Sequence, residues 1–402
     1  MPFLPDGAIN DLKDLLGPKG WSTDLDVLAP HNAEARGKFK GQAEIVLFPA
    51  STEEVAKAVA ICAAHDIAIV PQGGNTGRCG GAVAGSKQVL LNLKRMNAII
   101  EIDERDFTAT VEAGAILQTI QEACARHDLL FPLSLGAEGS CQIGGNLATN
   151  AGGLNVIRYG NARDLCLGLE VVLPDGSIWN GLSKLRKDNS GYDLRDLFIG
   201  AEGTLGIITK ATLKLFARPQ HVATAWLAVP SPECAIDLLA LARRHTGDAI
   251  AAFELISGFA HDMSVTYLKG LTRPLATKTD WHVLIELTSS RPDDDLQALL
   301  VDLLSNAVEI GLASDATIAQ SEKQRANLWA IREGIPEAQG FEGGSIKHDV
   351  SVPVSRVPDL LDRGIAAAKA LIPGIRPCPF GHVGDGNIHF NFSQPVSMEK
   401  SK

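Results

Sequence analysis

At 402 residues the chain is too long for one small core, and two or more domains are expected. Hydrophobic residues make up 45% and charged residues 21%, ordinary for a soluble globular protein, and no apolar run approaches a membrane span. A net charge of −10, spread along the chain without a basic block or an acidic tail, disfavours nucleic acid as a partner.

The 7 cysteines are scattered, odd in number and without a CxxC pair, which argues against a disulfide framework or a thiolate zinc site and for a reducing compartment. The opening MPFLPDGAINDLKDLLGPKG is acidic and broken by Pro and Gly, unlike a secretory core or an Arg-rich transit helix. A cytoplasmic location is expected on these grounds.

Residues 1–36 suggest a short helix and a loop without a core of their own. A strand–helix–strand unit follows: EIVLFPA, then STEEVAKAVAICAAHD with a capping box at Ser51 and Glu54, then IAIVPQGG. VLLNLKRMNAIIEIDERDFTATVEAG alternates as strands do, and ILQTIQEACARHDLL returns to helical period. The glycine-rich GAEGSCQIGGNLATNAGG, 136–153, is read as irregular and as too long for an idle loop. LGLEVVLPDGSIWNG is read as a hairpin turning at Pro174-Asp175-Gly176, and strands close this region in LFIGAEGTLGIITKATLKLFARP. Beyond about Pro219 glycine thins out, and strands such as TAWLAVP and WHVLIELTSS alternate with helices such as SPECAIDLLALARRH, the pattern of a second domain with an antiparallel sheet backed by helices.

PQGGNTGRCGG, 71–81, follows a predicted strand. Its glycines free backbone N–H groups to face one anion and permit close approach, although a surface loop alone would look the same. No Gly-Lys-Ser/Thr follows, and the GxGxxG fingerprint is absent, so neither a nucleoside-triphosphate loop nor a nicotinamide domain is indicated. Two further glycine segments, 136–153 and IGAEGTLGIIT at 199–209, also adjoin apolar strands. Three such segments suggest backbone laid against a long, flat ligand, as a dinucleotide cofactor requires.

In the second region Arg332 and Lys347 could hold a carboxylate as a pair, although most such residues are only solvated. In FGHVGDGNIHFN, the glycines between His382 and His389 make a helix improbable. A tight turn at Asp385-Gly386 would let both imidazoles converge on a cation such as zinc, but two ligands alone do not make a site. His348 reads as structural or exposed, and the other seven histidines show no ligand spacing.

Together PQGGNTG, GSCQIGGNLATNAGG, KDNSGYDLRDLFIGAEGTLGIIT and GHVGDGNIHFN resemble the flavin-dependent D-2-hydroxyacid dehydrogenases of the vanillyl-alcohol-oxidase and para-cresol-methylhydroxylase type, most of all their D-2-hydroxyglutarate branch. The resemblance runs from about residue 12 to the end. It implies an α+β fold: an N-terminal helical segment at 1–36, a two-subdomain FAD domain at 37–217 and an antiparallel α+β substrate domain at 218–402. It places Gly73, Gly74, Asn75, Thr76 and Gly77 on the FAD pyrophosphate, and Ser140, Gly144, Gly145, Thr149, Gly153, Glu202 and Gly206 along the rest of the cofactor. Pro71, Gly80, Gly136, Gly152 and Ile207 complete the cofactor set. PQGGNTGRCGG holds no His where related oxidases attach the flavin, so non-covalent FAD is expected.

By the same resemblance His382 and His389 are ligands of a divalent metal, zinc, while Arg332, Lys347 and Asn391 contact substrate. The implied reaction is oxidation of a D-2-hydroxy acid, with the hydride passing to flavin. Electrons would leave to a quinone, a flavoprotein or a cytochrome, and a homodimer is implied by analogy. Pro336 stands where the glutarate branch often carries Thr, which bears on selectivity for a second carboxylate. The family continues to a Glu-His-Gly-Ile-Gly segment holding a third metal ligand and the base, and this chain ends before it. A shortened chain is therefore expected, with an FAD-binding protein of weak or no turnover as the alternative.

Overall fold

A computed structural model of the protein describes residues 4–34 and 36–399; residues 1–3 and 35, and 400–402 at the end of SQPVSMEKSK, lie outside the described residues. The strand Val46–Leu47, the helix Thr52–Ala64 and the strand Ala68–Gln72 form a βαβ unit. Both strands pair in parallel with Gln88–Asn92, an arrangement that needs a crossover helix. Ser51 Oγ accepts from the Glu54 N–H at 3.2 Å, while Glu54 Oε2 accepts from the Ala50 N–H at 2.7 Å, so the cap reaches back one residue beyond Ser51. The helix Asp6–Leu16 lays Ala8, Leu12 and Leu16 on the same core at spacing four.

A five-stranded antiparallel sheet follows, ordered Ile99–Asp103, Thr108–Glu112, Ile207–Lys214, Cys166–Val172, Ile178–Gly181. Its last hairpin turns at Gly176, φ +85°, where Asp175 Oδ1 accepts from the Ser177 N–H at 2.9 Å. The glycine run at 136–153 is not wholly irregular. Ile143–Ala148 is a short helix with Gly144 and Gly145 inside it. Tertiary packing overrides propensity here: the Gly144 N–H donates to the Ala113 carbonyl at 2.8 Å, and a Cβ on Gly144 would stand 2.7 Å from the Ala113 Cβ.

These elements make one unit, up to Gly152 and again from Tyr159 to Arg218. A second unit comprises Gly153–Arg158 and the chain from Pro219. Its sheet is antiparallel throughout, in the order Asp315–Ile318, His221–Val229, Trp281–Ser289, Ile250–Ser257, Arg376–Gly381, Asn387–Ser393, Ser345–Ile346, with Asp349–Ser351 also paired to Asn387–Ser393. Helices cover both faces. Pro232–Thr246, Leu296–Glu309 and Val357–Leu371 pack on one, and Gly258–Tyr267, Glu322–Glu333 and Ile335–Phe341 on the other. Strand alternation sends Ile388, Phe390 and Phe392 to the first face and His389, Asn391 and Ser393 to the second.

Candidate functional site

In the first unit the three glycine segments meet around a cavity of about 430 Å³. Pro71, Gly73, Gly74, Asn75, Thr76 and Gly77 line it from the first segment. Gly144, Gly145 and Thr149 do so from the second, and Glu202, Gly206 and Ile207 from the third. Gly80, Gly136, Ser140, Gly152 and Gly153 are not among its lining residues.

Two kinds of glycine build it. At Gly74 a Cβ would meet the Ser140 carbonyl at 2.0 Å, so this position lets two segments touch. At Gly77 and Gly145 a Cβ would have nothing within 4 Å and would project into open space, a cradle that side chains would fill. Amides lock the first segment from behind. Asn92 Nδ2 donates to the Gly73 carbonyl at 2.9 Å, and Gln72 Nε2 to the His31 and Ala82 carbonyls at 3.0 Å. Asn75, at φ +54°, donates through Nδ2 to the Ala33 carbonyl at 2.7 Å, tying residues 30–33 to the loop.

Sequence reasoning missed Gln142 and Asn146. Both are buried in the cavity wall, and the side-chain oxygens Oε1 and Oδ1 accept no hydrogen bond among the described residues. Two amides within a glycine run were the available signal. Backbone N–H groups beside open glycines, with two unpaired amide oxygens, fit an extended phosphate- and amide-rich cofactor such as FAD.

In the second unit Arg332, in the last turn of the helix Glu322–Glu333, and His382, just after the strand Arg376–Gly381, both reach Glu254. Glu254 Oε2 accepts from Arg332 Nε at 2.6 Å, and Oε1 lies 2.6 Å from His382 Nδ1. Glu254 is 0% exposed and Arg332 4%. Burial alone would raise the Glu254 pKa, but the Arg332 guanidinium and His382 outweigh it and bring it to about 2. Burial would likewise lower His382, and the Glu254 carboxylate outweighs that and raises it.

His389 stands opposite Phe380 across the hairpin, its ring 5.3 Å from that of His382 and its Nδ1 3.4 Å from Asp349 Oδ1. The bond from His389 holds the Asp349 carboxyl below its ordinary range. Between the two histidines the chain turns where the His382 carbonyl accepts from the Asp385 and Gly386 N–H groups, both at 3.1 Å, with Gly386 at φ +84°. The Phe380 ring lies under Arg332 at 4.8 Å. Asn391, buried, donates through Nδ2 to Gln339 Oε1 at 3.1 Å. Lys347 is exposed, with Nζ 3.4 Å from the Pro336 carbonyl.

Each imidazole has a carboxylate at Nδ1, the arrangement that leaves Nε2 for a metal. Zinc takes at least three protein ligands, and among the described residues no group of three His, Cys, Asp or Glu could hold a metal ion. The described residues offer a partial ligand set.

The histidines without ligand spacing include a close pair. The His261 and His282 rings lie 4.4 Å apart, tilted by 40°, and Trp226 Nε1 donates to His282 Nδ1 at 3.0 Å. No spacing rule finds residues paired by the fold.

Residues 43–181 match the model of an FAD binding domain, and 218–402 that of the C-terminal domain of FAD linked oxidases. The chain is 40% identical over 395 residues to a "Probable D-2-hydroxyglutarate dehydrogenase, mitochondrial" of Oryza sativa subsp. indica, an alignment covering 98% of this chain and 70% of the relative. It is 38% identical to the mitochondrial D-2-hydroxyglutarate dehydrogenase of Arabidopsis thaliana, over 98% of this chain and 69% of that one. A solved structure of p-cresol methylhydroxylase superposes with a TM-score of 0.72 at 18% identity, covering 99% of this chain and 84% of the other, and shares the fold.

The cytoplasmic expectation is overturned, because relatives at this level of identity carry a mitochondrial designation, which points away from the cytoplasm. Net charge and free thiols report on solubility and redox conditions, which more than one compartment satisfies. Among the described residues no helix is long and apolar enough to cross a membrane. With an FAD binding domain followed by the C-terminal domain of FAD linked oxidases and near-complete alignment to such relatives, the chain belongs to the FAD-linked oxidoreductase family that contains the D-2-hydroxyglutarate dehydrogenases.

Proposed function

We propose that the protein oxidises a D-2-hydroxy acid of the D-2-hydroxyglutarate or D-lactate class to the 2-oxo acid, with non-covalent FAD. The observation that carries this reading is the cluster of buried Arg332 with the partly exposed His382 and His389 on one face of the second unit's sheet, in a chain 40% identical to such a dehydrogenase. When bound, FAD supplies an acceptor for the hydride on the substrate Cα.

The chain's own residues bind and orient. Arg332, its guanidinium held by Glu254 over Phe380, and Lys347 present cationic donors to carboxylate oxygens. Asn391, held by Gln339, offers a fixed amide, and the cavity glycines seat the cofactor's phosphates. His382 and His389 would hold a divalent cation, zinc, whose charge would favour the ionised substrate hydroxyl. Transfer of electrons onward to a quinone, a flavoprotein or a cytochrome, and a homodimeric state, belong to the same proposal.

The test is anaerobic addition of D-2-hydroxyglutarate, D-lactate and D-malate to the flavin-loaded protein. Bleaching of the oxidised flavin band by one D-acid and not by its L-form is expected. A band that dithionite bleaches and none of these acids does would refute the reading.

A further inference from the structure

We propose that Glu254 is a positioning residue that fixes the tautomer of His382 and the orientation of Arg332. This rests on the reading of those two as substrate-site groups. Glu254 is the single charged residue in the buried strand Ile250–Ser257, and its partners lie 78 and 128 positions away in sequence. A fully buried carboxylate destabilises unless both its oxygens are matched, and here each has one donor at 2.6 Å.

The donor count decides the roles. A guanidinium can only donate, and an ionised carboxylate can only accept. With Oε2 taken by Arg332 Nε, Oε1 must accept from His382 Nδ1, so the neutral His382 ring carries its proton on Nδ1 and presents Nε2 as a lone pair. The Phe380 ring closes one face of the guanidinium at 4.8 Å, so the Glu254 bond fixes its remaining freedom. One acidic residue thus sets both the carboxylate-binding donor and the imidazole beside it.

Glutamine at this position has one acceptor oxygen for two donors. Arg332 cannot give way, so in Glu254→Gln the imidazole must turn its acceptor to the new amide and move its proton to Nε2. Long-range 1H–15N NMR of the His382 ring, followed to alkaline pH where the imidazole is neutral, reads this directly: Nδ1–H in the wild type and Nε2–H in Glu254→Gln are expected. Because the FAD cavity is lined by residues of the other unit, FAD content should hold while kcat/KM for the D-acid falls about 10- to 100-fold. Glu254→Asp, which keeps two oxygens, should retain the Nδ1–H tautomer.

A neutral wild-type His382 protonated on Nε2 and not on Nδ1 overturns the proposal, and this needs no variant to fold. An unchanged tautomer in Glu254→Gln with kcat/KM within about two-fold of wild type overturns it as well. If no D-acid reduces the wild-type flavin, the functional reading fails, and the tautomer spectra still decide the role of Glu254.

Discussion

Two glycine-to-alanine substitutions in the cofactor cavity should act with opposite signs on stability. In Gly74→Ala the new methyl would stand 2.0 Å from the Ser140 carbonyl oxygen and 3.0 Å from the Cys141 Cα. Both obstacles are backbone, so no rotamer relieves the clash, and the two segments must part by roughly 1 Å. Overpacking of this kind destabilises by about 1–3 kcal/mol, and a backbone obstacle puts it near 3, a roughly 150-fold change in the folding equilibrium. In Gly145→Ala nothing lies within 4 Å of the methyl, and the residue is inside the helix Ile143–Ala148. Replacing a helical glycine by alanine stabilises by up to about 1 kcal/mol. That same methyl projects into the cavity and should weaken FAD binding by about ten-fold or more, or 1.4 kcal/mol. Thermal unfolding of the apoproteins and FAD titration followed by flavin fluorescence measure both effects. An unchanged unfolding midpoint for Gly74→Ala, or wild-type FAD affinity for Gly145→Ala, would refute the assignment of these glycines to contact and cradle.

Asn75→Ala removes the tie to residues 30–33 and leaves alanine at φ +54°; FAD affinity should fall by about 1–2 kcal/mol, with faster proteolysis near residue 33, and Asn75→Gly should restore only the backbone part. Glu286 accepts from Thr224, Arg325 and Trp329, so Glu286→Ala leaves the partly exposed Arg325 guanidinium only its contact with Glu322 at 3.4 Å, strands the Thr224 and Trp329 donors, and should destabilise the second unit by about 1–3 kcal/mol in urea titrations, whereas no measurable loss would mean the network is dispensable.

Burial, and then the neighbouring His261 charge, push the His282 pKa from 6.5 down to about 3. The unfolded chain therefore takes up this proton first. Stability is full above about pH 6.5 and is lost towards pH 3, by up to about 1.4 kcal/mol per pH unit. His282→Gln, whose amide oxygen can still accept from Trp226 Nε1, should flatten that slope in urea midpoints; a slope equal to wild type would contradict it. Metal analysis of the purified protein should find weak or substoichiometric zinc that both His382→Ala and His389→Ala abolish, and tight one-to-one zinc would show that a further residue completes the set.

Local chemistry made part of this protein legible from its text. The Ser51 cap, the Asp175-Gly176 turn and the turn at Asp385-Gly386 each depend on residues close together in the chain. So do the glycine segments, whose missing side chains mark where backbone must approach backbone or ligand. The fold decided whatever depends on distant partners. The helix at Ile143–Ala148 exists because Ala113 packs on Gly144, against glycine's own propensity. His261 and His282 share a core because two elements bring them there. Glu254 sits in a strand that reads as plain hydrophobic core, and its significance came from Arg332 and His382, which only the folded sheet carries to within hydrogen-bonding distance. Hydrogen bonds and desolvation act through space at a few ångströms, so a carboxylate's partners cannot be read from its neighbours in the chain.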